Sequence, residues 1–377
     1  MALNNINFQG AWNIISGRNC VLGKGEIIKN YASRVMIVTG KNSAKASGAL
    51  DDFIALFKKI GIEYKIFDRV TENPHIDLCR EAAKECIEFK ADGVLGIGGG
   101  SPLDAAKAVA LISQNPGISQ DDIYNKKVPN KALPVFACGT TAGTGSEVTS
   151  YSIMTLGYGK DTQKKGWGNK MVIPTLTFAD AKYTMTMSKA STLSTAIDAV
   201  AHCIEASLRK TTSLLVRMYA KEGLSIIWPI LKKAVNNELT YEDRENLLYG
   251  SIIGGFAIEL SGSCFPHSAG YSITTRHGIP HGFACGYFTP EILRVHLNGY
   301  GEYVNELLSA MGATIEEIEE LYYSVVPSFP HGEDEYELQC ELSAKSKNIH
   351  SALYEGDENF ARHIYRVVFD TLTKYGK

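Results

Sequence analysis

The chain has 377 residues, 45% of them hydrophobic, and a formal net charge of -3. This length favours two domains, each with a substantial core. Because the chain has no surplus of basic residues and no Lys/Arg run long enough to follow a phosphate backbone, we expect no nucleic-acid partner.

The N-terminal segment MALNNINFQGAWN lacks the positive start and the apolar run of a signal peptide. No stretch of roughly 18 consecutive apolar residues follows it, so we expect no membrane segment. The eight cysteines form neither a CxxC pair nor a disulfide framework, and we expect reduced thiols that mostly fill the core. These features predict a soluble, cytoplasmic protein.

The first half alternates short apolar runs with stretches of helical periodicity, the pattern of βαβ units around a parallel sheet. The apolar runs are VMIVTG (35–40), YKIFD (64–68), GVLGIGGG (93–100), LPVFACG (133–139) and TLTFAD (175–180). Residues 47–60 and 75–90 have helical spacing. After about residue 187 only long helical segments remain, although the acidic, proline-bearing segment 325–336 predicts a loop. We therefore predict an α/β domain with a Rossmann-like parallel sheet over 1–187 and an all-α domain over 188–377.

A glycine-rich turn, Gly98-Gly99-Gly100, follows the third apolar run. Ser101 comes next and can cap a helix that has Pro102 in its first turn. Glycines let a backbone approach an anion closely, and the free N–H groups at a helix start stabilise a pyrophosphate. The spacing differs from GxGxxG, so a tight strand-to-helix turn without a ligand stays open as an alternative.

A second turn of glycines and hydroxyl residues, GTTAGTGSE (139–147), follows the fourth apolar run. Its alternative interpretation is a flexible surface loop. Two such turns at the ends of parallel strands favour a nucleotide lying across the carboxyl edge of the sheet.

Metal-binding side chains cluster in the second half. Asp198 and His202 are four residues apart in a helical segment, so both project from one face. His267, His277 and His281 lie within fifteen residues of one another. One carboxylate and several imidazoles suit a catalytic metal with an open position, whereas a surface pair and a set of capping histidines are the alternatives.

These motifs together resemble the iron-containing (group III) alcohol dehydrogenase family. GGGSPLDAAK, TTAGTGSE, DAVAH and an H-x13-H stretch ending in PHG occur in the order and spacing of that family. The resemblance implies a dinucleotide-binding α/β domain and a helical domain that binds metal and substrate. It also implies hydride transfer between a small alcohol or aldehyde and a nicotinamide cofactor, a metal that is iron(II) or alternatively zinc, and a homodimer.

Carried over by position, the resemblance implies four metal ligands: Asp198, His202, His267 and His281. A second histidine of the HxxxH stretch, discussed as a proton relay in some relatives, is Tyr271 here. His277 lies close enough in sequence to substitute for it, and a capping or surface role is the alternative.

The resemblance likewise assigns the cofactor contacts. The phosphate and nicotinamide side takes Gly99, Gly100, Ser101 and Asp104, and the nucleotide runs along Thr140, Thr141 and Thr144. Lys165 falls near the position of a lysine that contacts the nicotinamide ribose in relatives.

The end of the first apolar run bears on cofactor preference. Relatives that prefer NAD often have an aspartate there, whereas this chain has Gly40, Lys41, Asn42 and Ser43. No carboxylate repels a 2'-phosphate, and either Lys41 or Lys45 could attract it. We predict binding by Gly40, Lys41 and Ser43, with NADP(H) favoured over NAD(H).

Three other functions stay open at this point. A glycerol-dehydrogenase-like polyol oxidoreductase generally uses three protein ligands, whereas four are present here. A dehydroquinate-synthase-like cyclase needs several basic residues around a phosphorylated substrate, and the ligand region is mostly apolar and hydroxylic. A non-catalytic nucleotide-binding module would not need the metal set.

Overall fold

The computed structural model of the chain describes residues 12–159, 162–344, 346–356 and 358–377, without the side chains of residues 347 and 358. The described residues fall into two compact units that meet in sequence between Met187 and Ser188. The first is an α/β unit and the second is helical.

Among its described residues, the α/β unit contains eight strands and six α-helices. The strands are Ile14–Ser16 (β1), Arg34–Thr39 (β2), Glu63–Phe67 (β3), Gly93–Gly98 (β4), Val135–Gly139 (β5), Tyr151–Leu156 (β6), Gln163–Gly168 (β7) and Leu176–Ala179 (β8). The helices are Cys20–Lys24 (α1), Ser43–Ala46 (α2), Ala49–Ile60 (α3), Ile76–Glu88 (α4), Gly100–Gln114 (α5) and Gln120–Tyr124 (α6).

Six strands form one parallel sheet in the order β1-β8-β5-β4-β2-β3. Successive residues of each central strand enter two different hydrophobic clusters. Met36 and Val38 pack with α4 and α5, whereas Val35 and Ile37 pack with α3. Burial on both faces explains why these strands are continuously apolar, and it confirms the predicted fold class.

Two strand features escaped the sequence analysis. The strand β1 has only three residues at one edge of the sheet. The antiparallel hairpin of β6 and β7 lies outside the main sheet, and most residues of β7 are polar or glycine and only partly buried. Neither segment forms a continuous apolar run, so the pattern that found the other strands could not find these.

A buried ionic network joins α5 to the glycine–hydroxyl turn. Asp104 accepts hydrogen bonds from the Ser146 hydroxyl at 2.6 Å and from the Ile153 N–H at 2.9 Å. Lys107, which is fully buried, donates to Ser146 at 2.8 Å and to the Tyr151 carbonyl at 2.6 Å. Its ammonium nitrogen lies 3.7 Å from the Asp104 carboxylate. This network fixes the second turn relative to the helix that follows the first turn.

The helical unit contains nine regular helices among its described residues. They are Lys189–Ser207 (α7), Leu214–Val235 (α8), Tyr241–Ser261 (α9), Phe265–His277 (α10), His281–Gly286 (α11), Thr289–Met311 (α12), Ile315–Val325 (α13), Glu333–Ala344 (α14) and Glu358–Lys374 (α15). The helix α7 is almost wholly buried and packs against α8, α9 and α11. It is therefore the central element of this unit.

One helix of this unit is interrupted, and another begins earlier than the sequence predicts. The chain leaves helical geometry at 298–300 inside α12, where Gly299 has a φ of 95°. The loop predicted at 325–336 ends early, because Glu333 already begins α14. Within the described residues, no single helix is long and apolar enough to span a membrane. The consecutive helices α9 and α10 have the required length and composition only when taken as a pair, and they are bent by 110° relative to each other.

The network predicts a large cost for removing the buried ammonium. Replacing Lys107 by methionine keeps most of the side-chain volume but leaves the Asp104 carboxylate buried without its cation. We expect the free energy of unfolding to fall by about 3–5 kcal/mol in urea denaturation. The exposed Lys131, replaced in the same way, is the control and should change it by less than about 0.5 kcal/mol. Equal stability of the two variants would contradict the importance of the ion pair.

Candidate functional site

Three polar side chains share one buried face of α7. Asp198, His202 and Glu205 follow one another at intervals of four and three residues, so they stack along the helix. Their exposed fractions are 5%, 5% and 1%. Two carboxylates and an imidazole at such depth need partners from neighbouring elements.

Glu205 organises the start of α10. Its carboxylate accepts hydrogen bonds from the backbone N–H groups of Cys264 at 2.7 Å and His267 at 3.4 Å, so it caps the helix. The other oxygen lies 2.5 Å from His267 Nδ1. A hydrogen bond from Nδ1 fixes the ring and leaves Nε2 as the nitrogen with a lone pair. Glu205 was not among the residues predicted from the sequence, although its spacing from Asp198 and His202 on one helix face was a usable signal.

The short helix α11 approaches α7 closely enough to bring His281 to the same place. A Cβ added to Gly282 would lie 1.8 Å from the Ser194 carbonyl oxygen and 3.0 Å from the Asp198 Cβ. Only glycine permits this contact between two backbones. The position of His281 therefore depends on the residue that follows it.

The predicted ligands converge on Asp198. Its Oδ1 lies 3.6 Å from His267 Nε2 and 3.8 Å from His202 Nε2. The His267 ring stacks on His202 with centroids 4.7 Å apart and meets the His281 ring edge-on at 5.2 Å. All four residues that the resemblance named are thus neighbours in the helical unit.

The site fits a divalent cation. Asp198 Oδ1 and His267 Nε2 are buried and have no hydrogen-bond partner. One ligand atom from each of Asp198, His267, His281 and Cys285 lies within 4.8 Å of the others. A carboxylate oxygen and imidazole nitrogens grouped at one buried point match the donor set of iron(II) or zinc.

Cys285 is the member of this cluster that the sequence analysis did not name. It stands four residues after His281, and its sulfur lies 3.6 Å from His281 Nε2. Burial raises the pKa of the Cys285 thiol to about 11, and the neighbouring His267 acts in the opposite direction. The i, i+4 spacing that drew attention to Asp198 and His202 was present here too.

The two residues predicted for proton transfer have different surroundings. The Tyr271 ring stacks on His281 with centroids 4.9 Å apart, so it lies beside a predicted ligand. His277 Nε2 lies 2.8 Å from the Glu335 carboxylate, which also accepts hydrogen bonds from Arg276 and Gln339. The structure therefore ties His277 to α14.

The predicted cofactor residues lie at the carboxyl edge of the parallel sheet. The strands β5, β4 and β2 are neighbours, and their last residues are in register, with Gly98 opposite Gly139 and Thr39 opposite Ile97. The chain runs from β2 to β3 on one side and from β4 to β5 on the other. Such a topological switch point is where ligands bind in open α/β sheets.

The two turns pack against each other at this edge. A Cβ on Gly99 would lie 3.2 Å from the Thr141 methyl group, and one on Gly100 would lie 3.0 Å from that of Thr144. The helix α5 begins at Gly100, so its N-cap is Gly99 and the prediction of Ser101 as the cap was wrong. Gly99 provides no side-chain cap, and the uncapped N–H groups suit a phosphate. Thr140 is buried, and its N–H donates to the Gly98 carbonyl at 2.8 Å.

Two predicted cofactor residues already have partners within the α/β unit. The Ser101 hydroxyl accepts a hydrogen bond from the Asn73 N–H at 3.0 Å. Both oxygens of the Asp104 carboxylate accept hydrogen bonds in the buried network.

The remaining predicted cofactor residues lie at or near the surface. Gly40 follows β2, and a Cβ there would lie 3.1 Å from the Val70 carbonyl oxygen. Lys41 and Ser43 are exposed. Lys165 is exposed in β7, with its ammonium 4.5 Å from the centre of the Tyr124 ring.

Comparison with known proteins identifies the family to which both units belong. The profile of iron-containing alcohol dehydrogenases matches residues 12–181, and the profile of the C-terminal part of that family matches residues 192–330. The chain belongs to the iron-containing alcohol dehydrogenase family. This confirms the resemblance drawn from the motifs.

Several members of the iron-containing alcohol dehydrogenase family cover most of the chain. A long-chain primary alcohol dehydrogenase of Thermoanaerobacter ethanolicus is 31% identical, over 75% of this chain and 71% of its own. The crystal structure of an iron-containing alcohol dehydrogenase from Thermotoga maritima, 32% identical, covers 97% of this chain and 99% of its own with a TM-score of 0.90. An NADPH-dependent butanol dehydrogenase of Clostridium saccharobutylicum is 29% identical, over 88% of this chain and 86% of its own. Relatives named for NADH also occur.

The contact of α11 with α7 predicts that Gly282 is essential for the metal centre. A Gly282→Ala variant cannot relieve the overlap with the Ser194 carbonyl by rotating a side chain, so a backbone must move. We expect a loss of about 1–3 kcal/mol of stability and a lower content of tightly bound metal. Gly301, whose added Cβ would meet nothing within 4 Å, provides the control variant Gly301→Ala. Wild-type stability and metal content in Gly282→Ala would show that the contact is not required.

Proposed function

We propose that this protein is an NAD(P)-dependent alcohol dehydrogenase that interconverts a small alcohol and the corresponding aldehyde at a divalent metal. The observation that carries the proposal is the pair of buried atoms, Asp198 Oδ1 and His267 Nε2, which face each other at 3.6 Å without hydrogen bonds. In a chain of the iron-containing alcohol dehydrogenase family, such a pair is best explained as part of a metal-ligand set.

The proposed ligands are those of the family pattern: Asp198, His202, His267 and His281. When bound, the metal acts as a Lewis acid that polarises the oxygen of the substrate. We propose iron(II) as this metal, in keeping with the family, and zinc as its alternative. Asp198, His202 and Glu205 of α7 are at least nine-tenths buried, which limits the contact of these side chains with water.

Glu205 contributes by orientation. Its hydrogen bond with Nδ1 fixes the tautomer of His267 and directs Nε2 toward Asp198. Proton transfer to or from the substrate oxygen is assigned to Tyr271, because its ring lies against His281. His277 is the less favourable candidate, since Glu335 already holds its Nε2.

The α/β unit contributes the nicotinamide cofactor. The uncapped start of α5 and the glycines at 99 and 100 would hold the pyrophosphate, and Thr140, Thr141 and Thr144 would lie along the nucleotide. Ser101 remains a candidate through its backbone and hydroxyl. Asp104 acts more indirectly, by holding the second turn in place, and Lys165 remains a candidate for the ribose contact.

We also propose a preference for NADP(H) over NAD(H). The residues after β2 carry no carboxylate, and Lys41 and Ser43 are exposed where an adenosine ribose phosphate would bind. Relatives of both cofactor classes are known, so this preference depends on the residues of this chain. Cytoplasmic location and a homodimer remain predictions from the sequence and the family resemblance.

The proposal is tested by the oxidation of reduced nicotinamide. Protein stripped of metal and reloaded with iron(II) or zinc should oxidise NADPH in the presence of butyraldehyde, with a fall in absorbance that metal-free protein does not give. His267→Ala should lose both bound metal and activity, while the exposed His350→Ala retains both. Nucleotide binding without turnover for any alcohol or aldehyde would favour a binding module, and full activity of His267→Ala would refute the ligand set.

The cofactor preference gives a separate prediction. Lys41→Glu places a negative charge where the 2'-phosphate would bind. We expect kcat/KM for NADPH to fall by about tenfold or more and that for NADH to change by less than about twofold. Lys131→Glu, on an exposed lysine before β5, controls for the change in net charge. A parallel loss with both cofactors would place the 2'-phosphate elsewhere.

A further inference from the structure

We propose that Cys285 is a ligand of the metal centre, so that the protein binds its metal with a thiolate in addition to carboxylate and imidazole. The inference rests on the proposed function for the existence of a bound metal, and it adds a donor that the family ligand pattern does not include. It starts from the position of the sulfur among the donors of α7, α10 and α11.

Two donor–donor distances in the cluster, one of them to the Cys285 sulfur, match those of shared coordination. Metal bonds of about 2.0–2.3 Å at tetrahedral angles put two donors roughly 3.3–3.8 Å apart. The Cys285 sulfur lies 3.6 Å from His281 Nε2, and Asp198 Oδ1 lies 3.6 Å from His267 Nε2. One donor atom from each of these four residues lies within 4.8 Å of the others.

Two neighbouring atoms give independent support for a ligand at this place. Asp198 Oδ1 and His267 Nε2 belong to residues that are 5% and 4% exposed, and neither atom has a hydrogen-bond partner. The sulfur belongs to the same group of mutually close donors. A sulfur used only for packing would not need to lie among unsatisfied metal-binding atoms.

The backbone around Cys285 holds the sulfur in this position. The helix α11 is fixed against α7 by Gly282, and α10 passes so close that a Cβ on Gly270 would lie 3.1 Å from the sulfur. Cys285 itself is fully buried. The sulfur therefore lies at a close contact between α10 and α11, beside the imidazole of His281.

A thiolate ligand has a chemical consequence for metal choice. Thiolates are soft donors that favour zinc and cobalt(II) over magnesium and manganese(II), which prefer oxygen ligands. Binding displaces the thiol proton to solvent as the sulfur–metal bond forms, so metal uptake releases one proton from this residue. The alternative is a simple hydrogen bond between the thiol and His281.

The experiment uses the full-length protein loaded with cobalt(II) and read by absorption spectroscopy. Wild-type protein should show visible d–d bands and, in the near ultraviolet, a thiolate-to-cobalt charge-transfer band. Cys285→Ser should keep the d–d bands, lose the charge-transfer band and bind zinc about tenfold or more weakly. Cys340→Ser, which changes a buried cysteine of α14, should retain the band and the affinity.

Each outcome has a distinct meaning. Visible bands without a charge-transfer band in wild-type protein would overturn the role of Cys285 while leaving the metal site intact. Absence of any cobalt binding would instead refute the metal site of the proposed function. Because a serine is smaller than a cysteine, the variant should fold, and circular dichroism together with a Cys285→Ala variant checks this. A charge-transfer band that persists in both variants would also overturn the proposal.

Discussion

The helical unit is organised around a buried carboxylate, Asp198, that the described residues leave without a hydrogen bond at one oxygen. Burying an unpaired carboxylate costs several kcal/mol. Glu205 adds a second negative group seven residues further along the same helix face, and its own partners are His267 and two backbone N–H groups. The arrangement thus concentrates negative charge and imidazole nitrogens at one point. A divalent cation would neutralise the negative charge and bind the imidazole nitrogens, whereas apolar packing would do neither.

The same constraint explains where small residues occur. Donors on three helices can reach one ion only if the helix backbones approach closely, and side chains beyond Cα would prevent this. Gly282 contacts the backbone of α7, and Gly270 contacts Cys285. A Cβ added to Gly254 of α9 would lie 3.4 Å from the carbonyl oxygen of Ala199. Glycine lowers the intrinsic stability of a helix. Its presence at these contacts shows that the geometry of the site, rather than helix propensity, sets the sequence here.

The sequence predicted the sheet and the change to helices after about residue 187, because each has a strong local pattern. The grouping of Asp198 with His202, His267 and His281 was instead implied by the family resemblance. It did not predict the hairpin of β6 and β7, whose second strand is polar, or the part of α14 that contains Glu335. The latter was hidden because charge and proline near 325–336 are typical of loops. Glu205 and Cys285 were missed for another reason. Their helical spacing from Asp198, His202 and His281 was visible in the sequence, but such spacing is common on helices and marks a site only when the spatial neighbours are known.

Two buried aspartates in the motifs show why neighbours decide function. Both Asp104 and Asp198 lie on helices and both are less than one-tenth exposed. The oxygens of Asp104 accept hydrogen bonds from Ser146 and Ile153, and the ammonium of Lys107 lies close by, so its charge is balanced within the fold. Asp198 Oδ1 lies near the imidazole nitrogens of His202 and His267 and has no hydrogen bond. Asp104 therefore holds the two turns together, whereas Asp198 keeps an oxygen that is available to bind a metal.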